Sequence, residues 1–380
     1  MNHEIYIKRC LQIAKNGIGT ARPNPSVGAV IVFNHKIIGE GFTAAYGGNH
    51  AEVNAVNSVK DKQLLKEATI YVTLEPCAHF GKTPPCADLL VKHQFKNVVI
   101  GCVDSNSLVA GKGIDRLRKA GIQVTVGVLE AECREHHKRF FTVQEQKRPY
   151  IILKWAETSD GFIFPELDSV AVNLKSRLLQ QKEILGNDEK IQKVQAKPIW
   201  ISNNISQQLV HKYRSQEQAI LVGTNTVIAD NPKLNVRTWT GNNPTRIVLD
   251  KSLRILKSVH VYDGSVKTIF ITGKNISEIK SKESQLPENK ENIIFEQIDF
   301  TKSVAKQICT VLQKHKIQSV IIEGGAQTLQ TFLNENLWDE ARVFIGANAF
   351  RKGIKAPVLS AKLKTITKIK NDFLKIYTND

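Results

Sequence analysis

The sequence predicts an α/β protein of two domains, and three observations carry that prediction. The chain has 380 residues, 42% of them hydrophobic, more than one core normally organises. Strand-sized apolar runs alternate with helical periodicity through both halves. A strongly charged stretch between Glu130 and Arg148 separates those halves and marks the expected domain boundary. The longest apolar runs, such as Tyr150 to Leu153 and Val320 to Ile322, fall far short of the roughly 20 residues of a membrane span. The start, Met1-Asn2-His3-Glu4-Ile5-Tyr6, does not read as a secretory signal. Six cysteines over this length form no disulfide framework, so Cys10, Cys102, Cys133 and Cys309 are expected reduced and ordinary. A cytoplasmic protein with no membrane partner is the expectation.

In the first half, residues 3 to 17 place Ile5, Ile7, Leu11, Ile13 and Ala14 among Lys and Arg and end at Gly17, an amphipathic helix. After the turn Arg22-Pro23-Asn24-Pro25, the runs 27–33 and 36–42 flank Asn34-His35 as a hairpin. A helix opens at His50 with Val53, Val56 and Val59 apolar, and 68–74 returns to strand. Strand 97–103, helix 113–120 and strand 122–128 then form a β-α-β unit that favours parallel pairing.

The second half starts with a strand at Tyr150. Strands at 150–155, 198–202, 218–223, 245–250, 267–272, 292–298 and 318–323 alternate with helices such as 205–214 and 302–315. The lysine-rich stretches 187–197 and 274–291 read as surface loops or irregular helices. The formal charge of +17 is spread over both halves and selects no partner by itself.

His50-Ala51-Glu52 followed by Pro76-Cys77 and Cys86 is the most informative constellation. One imidazole and two thiolates supply three ligands for Zn²⁺ and leave a fourth tetrahedral position for water. Helix N-termini beside them favour thiolate and hydroxide over the neutral forms. A bound metal lowers the pKa of its water to roughly 7, and Glu52 is close enough to carry the proton. A closed structural site with His79 as fourth ligand remains a competing reading, as does the absence of any metal. His35, His93, His136 and His137 have no such partners and read as surface residues. Asn24 carries a donor and an acceptor suited to a pyrimidine edge, or serves as a turn former between two prolines.

The general zinc-deaminase signature is H-x-E followed by P-C-x-x-C. Here eight residues separate Cys77 from Cys86. The run Thr73-Leu74-Glu75-Pro76-Cys77-Ala78-His79-Phe80-Gly81-Lys82-Thr83-Pro84-Pro85-Cys86, with Arg22-Pro23-Asn24-Pro25-Ser26-Val27-Gly28-Ala29-Val30, resembles the bifunctional riboflavin biosynthesis deaminase-reductase family. That family carries its second cysteine after such a loop. The resemblance implies a cytidine-deaminase-like three-layer domain over 1–146, and substrate-lining residues from His79 to Lys82.

Farther on, Glu323-Gly324-Gly325-Ala326 links a strand to a helix, and its backbone N–H groups suit a phosphate. No G-x-G-x-x-G occurs there, which argues against an ordinary Rossmann domain. Val222 to Pro232, Leu234, Arg237, Thr245 to Asp250, Glu323 to Gly325 and Asp339-Glu340 together resemble the reductase half of the same family. That resemblance implies a dihydrofolate-reductase-like domain over 147–380 that uses NADPH. It implies cofactor contacts at Trp200, Thr226, Asp230, Gly325, Ala326, Gln327, Thr328, Leu329, Gln330 and Thr331. Arg214, Leu234, Arg237 and Glu323 would face the substrate, the arginine forks being suited to its phosphate, with Lys154 near the ribose. The chain departs from the family at Thr158-Ser159-Asp160-Gly161, in the long segment to Trp200, at Pro198 and from Gly346 to Gly353.

The expected chemistry is zinc-dependent hydrolytic deamination of a phosphoribosylated diaminopyrimidinone, followed by NADPH-dependent reduction of the ribosyl group to ribityl. The small-molecule substrate is the expected partner, with no nucleic acid, and the protein is expected to be a homo-oligomer. The alternative is a nucleic-acid-editing deaminase whose basic C-terminal half grips RNA, although no aromatic-basic interleaving supports it. A chain that retains only one activity is a third reading, prompted by the altered reductase loops.

Overall fold

The computed structural model describes residues 2–80, 84–105, 110–166, 200–277 and 290–379. Two compact units emerge, Met1–Tyr150 with Cys309–Ser319, and Ile151–Ile308 with Val320–Asp380. No described helix is long and apolar enough to cross a membrane.

In the first unit, α1 (His3–Ala14) buries Ile7, Cys10, Ile13 and Ala14 as one stripe, and a single 3₁₀ turn carries the chain to Gly17. Strands β1 (Gly28–Phe33) and β2 (Lys36–Phe42) pair antiparallel. Asn34 and His35 turn between them with φ of 47° and 59°, the two left-handed residues of a tight hairpin. Helix α2 (Ala51–Ser58) lies so close on β2 that a Cβ at Gly41 would stand 2.3 Å from the Ala55 nitrogen, so only glycine fits there.

Strand β3 (Thr69–Leu74) is buried along its whole length, as the centre of a sheet covered on both faces requires. It is followed by α3 (Cys86–Lys92), β4 (Asn97–Cys102), α4 (Lys112–Lys119) and β5 (Gln123–Val126). The sheet order is β2-β1-β3-β4-β5, with β3, β4 and β5 parallel. The turns that enter α3 and α4 therefore leave the same sheet edge, where ligands collect in α/β folds.

The charged stretch after Glu130, read as a divide, folds as α5 (Glu130–His136) and α6 (Lys138–Gln146). Its few apolar residues explain this: Cys133, Phe140 and Phe141 join the first core while the charges stay outside. His137 corrects another expectation. It is buried, with Nε2 3.0 Å from Thr73 Oγ1, and His136 Nε2 lies 2.8 Å from the Ser26 carbonyl. His137 stands three and four residues before Phe140 and Phe141, on the helix face that all three bury.

The second unit is built on a nine-stranded sheet of order β11-β10-β9-β8-β12-β6-β13-β16-β15. Its elements begin with β6 (Tyr150–Glu157), β7 (Phe162–Pro165), α7 (Asn204–Gln216), β8 (Ala219–Gly223), α8 (Thr224–Asp230), β9 (Thr245–Leu249), β10 (Thr268–Thr272) and β11 (Ile293–Gln297). They continue with α9 (Val304–Lys314), β12 (Ser319–Gly324), α10 (Ala326–Asn334), β13 (Glu340–Ile345), β14 (Gly353–Lys355), β15 (Lys362–Ile369) and β16 (Asp372–Thr378). Strands β11, β10, β9, β8 and β12 run parallel, whereas β13, β16 and β15 form an antiparallel edge.

Helix α7 starts where the Asn203 side chain accepts the Ile205 and Ser206 N–H groups. Ile220, Val222, Val248 and Phe270 fill a core in which Tyr262 stacks on Phe270 at 4.2 Å. The expected strand 198–202 does not form in its described part. Trp200, 57% exposed, and the two residues after it lie outside any strand. The stretches 187–197 and most of 274–291 lie outside the described residues.

Candidate functional site

In the first unit, His50 occupies the N-cap of α2 with extended backbone, and Glu52 sits in that helix's first turn. Cys86 is the first residue of α3, while Cys77 lies on the turn after β3. The helix-entry cysteine is thus Cys86. The fold brings these residues together from three separate segments. His50 Nδ1 lies 3.6 Å from Cys77 Sγ and 3.3 Å from Cys86 Sγ. The Cys86 N–H donates to Cys77 Sγ at 3.3 Å, and the Ala87 N–H to the Cys77 carbonyl at 3.1 Å.

All three ligand atoms lie within 4.8 Å of one another. Zn–S and Zn–N bonds of about 2.3 and 2.0 Å in a tetrahedron separate their donors by roughly 3.6 Å, so the spacing fits zinc. The electrostatics fit as well. Hydrogen bonding to the Cys86 thiol, opposed by burial and aided by His50, holds the Cys77 thiol down at about 4. Its neighbour Cys86 is pushed well up, by Cys77 first and burial second. Two adjacent thiols that ionise one at the expense of the other are a pair that a divalent cation would satisfy.

Glu52 is 4% exposed, and burial, followed by the nearby Cys77, raises its pKa. A carboxyl shifted toward neutral pH beside an open metal position suits proton transfer. A cavity of 390 Å³ lies against this group, lined by Asn24, Tyr46, His50, Glu52, Cys77 and His79 among others. His79 lines the cavity but does not join the ligand cluster, so among the described residues the donor set stays at three. Gly81 and Lys82 lie outside the described residues. Two acidic residues with no role assigned from sequence also line the cavity, the buried Glu75 and Asp104. Glu75 stood within the quoted motif, but an acid before Pro-Cys carries no signal of its own.

In the second unit, Arg214 on α7 grips Glu323 at the end of β12 through both carboxylate oxygens, Nε to Oε1 at 3.0 Å and Nη2 to Oε2 at 2.6 Å. The two side chains are 11% and 8% exposed. Burial would raise the Glu323 pKa, but Arg214 and Lys154 outweigh it and hold the carboxyl at about 2. Lys154 is itself pulled down by burial, against the attraction of Glu323. Arg237, exposed, turns its Nη1 to Asn235 Oδ1 at 2.8 Å, and burial followed by Arg214 lowers its pKa.

The expected fork of Arg214 toward a phosphate is therefore turned onto a carboxylate here. Leu234 is 2% exposed and belongs to the core of Ile220, Val222 and Val248. The apolar side chain simply finds more burial in the core than a polar cleft would give it.

Gly325 caps α10, and Thr226 of α8 stands against the glycine pair, its Oγ1 3.4 Å from where a Gly325 Cβ would be. The run after Gly325 divides by helical periodicity. Thr328 and Leu329 are buried, and Thr331 Oγ1 donates to the Gln327 carbonyl. Gln330 accepts the Val358 N–H and donates to Asn334. Seven successive residues cannot turn one face to a single ligand at 3.6 residues per turn. Leu329 is buried on the core side of α10, while Gly325, Ala326 and Gln327 occupy its N-terminal end. Trp200 and Asp230 have exposed side chains.

Comparison with known proteins matches residues 1–102 to the cytidine and deoxycytidylate deaminase zinc-binding region and residues 177–374 to the RibD C-terminal domain. The riboflavin biosynthesis protein RibD of Aquifex aeolicus is 38% identical over 351 residues, spanning 92% of this chain and 88% of the relative. RibD of Bacillus amyloliquefaciens is 34% identical over 90% of this chain and 83% of its own. A crystal structure from Thermotoga maritima, described as a diaminohydroxyphosphoribosylaminopyrimidine deaminase/5-amino-6-(5-phosphoribosylamino)uracil reductase, aligns with a TM-score of 0.80 at 32% identity. It covers 99% of this chain and 98% of its own. Acinetobacter baumannii RibD aligns over the same shares at 0.82 and 29% identity.

Proposed function

The chain belongs to the RibD family of bifunctional riboflavin biosynthesis enzymes, and from that premise we propose how its residues divide the two reactions. It is a zinc-dependent deaminase and an NADPH-dependent reductase in one polypeptide. In our reading, residues 1–146 carry the deaminase and 147–380 the reductase. The substrate is 2,5-diamino-6-(5-phosphoribosylamino)pyrimidin-4-one, deaminated first and then reduced from ribosyl to ribityl. The observation that carries this reading is the convergence of His50, Cys77 and Cys86 with Glu52 buried beside them.

His50 Nδ1 and the two sulfurs would hold zinc, which supplies a water activated near neutral pH. Asn24 holds the pyrimidine edge in the cavity above it. Glu52 takes the proton of the attacking water as the new C–O bond forms at the amine-bearing ring carbon. It then returns protons to the ring nitrogen and to the departing amine, so that water is consumed and ammonia leaves. Burial keeps Glu52 able to hold a proton between these steps.

NADPH supplies the hydride for the second reaction, and the chain's part there is alignment. Gly325, Ala326 and Gln327 at the N-terminus of α10, with Thr226 against the glycines, form a backbone cradle suited to the cofactor; Trp200 and Asp230 flank it in this reading. Arg237, whose guanidinium is exposed, takes the substrate phosphate. Arg214, Glu323 and Lys154 form the charged wall beside the ribose; C1′ of the ring-opened sugar would receive the bound cofactor's hydride, its C1′=N bond becoming single as the nitrogen takes a proton from solvent.

Assaying both half-reactions on the zinc-loaded chain tests this directly. Ammonia release from the diaminopyrimidinone and NADPH oxidation on the uracil intermediate are the expected results, and absence of both would sink the reading. The RNA-editing alternative is not favoured, because the second half matches a reductase domain. We further propose a homo-oligomer without a nucleic-acid partner, checked by sedimentation and by titration with tRNA at low salt. A cytoplasmic location follows from the need to keep Cys77 and Cys86 as thiolates.

A further inference from the structure

Glu75 is 4% exposed and stands two residues before a metal ligand, yet it is not one of the ligands. Its own N–H donates to the Cys102 carbonyl at 3.0 Å, extending the β3–β4 pairing by one residue. Both carboxylate oxygens point into the turn that leads into α4. Oε2 accepts the N–H groups of Asp104 at 3.2 Å and Gly111 at 3.0 Å. Oε1 accepts those of Gly113 at 2.9 Å and Ile114 at 3.3 Å. Four donors fill the roughly four lone-pair sites of a carboxylate, so Glu75 has no capacity left to ligate a metal or shuttle a proton.

The same contact is closed from the other side. A Cβ on Gly113 would lie 2.1 Å from the Pro76 carbonyl oxygen, so α4 begins directly against the peptide that precedes Cys77. Pro76 fixes its own φ and restricts Glu75 to extended backbone. Glu75-Pro76-Cys77 is therefore a short stiff arm, anchored at one end by four hydrogen bonds and carrying a metal-ligating sulfur at the other. The anchored turn also brings Asp104, 7% exposed, to the wall of the cavity that contains His50 and Glu52.

We propose that Glu75 is a positioning residue for the deaminase centre: it clamps the backbone at Asp104 and at Gly111, Gly113 and Ile114 against the Pro76 peptide, and so fixes both the Cys77 sulfur and Asp104. The inference rests on the zinc-deaminase reading of that centre. All four partners are donors, so Glu75→Gln places an NH₂ group against two backbone N–H groups whichever way the amide turns. An apparently conservative change thus breaks half of the clamp.

The test compares the parent holoenzyme with E75Q. Zinc affinity is measured by competition with a chelator, ligand geometry by the visible spectrum of the cobalt-substituted protein, and deaminase kcat and KM separately. Reductase activity of the same chain is the reference for folding. The expected result is zinc affinity weakened by roughly 10-fold or more, the range seen when supports of metal ligands are removed. A changed cobalt spectrum and a lowered deaminase kcat accompany it, with reductase activity unchanged. E75Q with parental spectrum, zinc affinity and kcat would overturn the proposal.

If E75Q does not fold, hydrogen exchange on the parent decides, because coupling between two sites is reciprocal. Zinc loading should then slow exchange at the amides of Asp104, Gly111, Gly113 and Ile114, and equal exchange with and without zinc would refute the clamp. A parent that neither binds zinc nor releases ammonia would instead refute the deaminase reading on which the clamp depends.

Discussion

The deaminase centre and the charged cluster of the second unit organise charge in opposite ways. Around His50 the donors are neutral or anionic and crowd together, so the group is completed from outside by a cation. Around Glu323 the chain supplies both signs itself, and Arg214 and Lys154 already balance the carboxylate. The first arrangement would gain order when metal binds; the second is ordered beforehand, and in the proposed reading it leaves chiefly Arg237 to a substrate. Perturbing the first should therefore remove chemistry while sparing the fold. Perturbing the second should cost stability as well.

The largest effect expected is at Glu52. Glu52→Gln keeps the shape and the three ligands but cannot carry a proton between water, ring nitrogen and amine. General acid–base catalysis contributes 10² to 10⁴ in rate, and one carboxyl serves several transfers here, so deaminase kcat should fall by about 10³-fold or more. Zinc content by metal analysis and NADPH oxidation on supplied uracil intermediate should be unchanged. Near-parental ammonia release would remove Glu52 from its role.

Glu323→Ala should mark the contrast from the other side. Removing one member of a buried ion pair leaves Arg214 without its counter-charge, which typically costs about 3–5 kcal/mol. Urea unfolding followed by a probe in the second unit should register that loss, together with a raised reductase KM, while deaminase kcat holds. An unfolding midpoint equal to the parent's would show that Arg214 finds another partner without cost.

The same pair has a pH signature. The Glu323 carboxyl is held at about 2, below its ordinary 4.5. A depressed carboxyl contributes stability that is present in full above the ordinary value and is lost as pH falls toward the folded value. A shift of this size corresponds to about 3 kcal/mol at neutral pH. The stability gap between parent and E323Q should therefore be constant from pH 7 to about 5 and narrow steadily below 4.5. A gap that stays constant down to pH 3 would mean the carboxylate's charge is not what stabilises it.

The contrast also explains what could be read from residue order. Zinc chemistry demands particular side chains, and His50, Glu52, Cys77 and Cys86 announce themselves because few other functions need that set. The parallel strands and the hairpin through Asn34-His35 were equally legible, since alternation and turn residues are local properties. The residues proposed for the reductase, such as Thr226 and Arg214, are of ordinary types, and resemblance picked them out, whereas the strand-Gly-Gly-helix junction at Gly325 carried a weak signal of its own. Leu234 and Leu329 came by resemblance as well, and both are buried. His137 and Glu75 escaped because their partners, Thr73 and the amides of Asp104, Gly111, Gly113 and Ile114, lie tens of residues away.

The smallest effect expected is at Arg237, and it separates the cluster's structural members from its binding members. The residue is exposed, its side chain donates to neighbouring Asn235 at 2.8 Å, and its contact to His211 is made by the backbone N–H, so the fold depends little on the side chain. Arg237→Ala should leave the unfolding midpoint within about 0.5 kcal/mol of the parent, as for most surface changes. A lost charge-assisted contact to a phosphate at a partly solvated position is worth about 1.5 kcal/mol, which is roughly a tenfold rise in reductase KM. The affinity for NADPH, measured by fluorescence titration without substrate, should not change. A parental KM would take Arg237 out of the substrate site, and a weakened NADPH affinity would move it to the cofactor side.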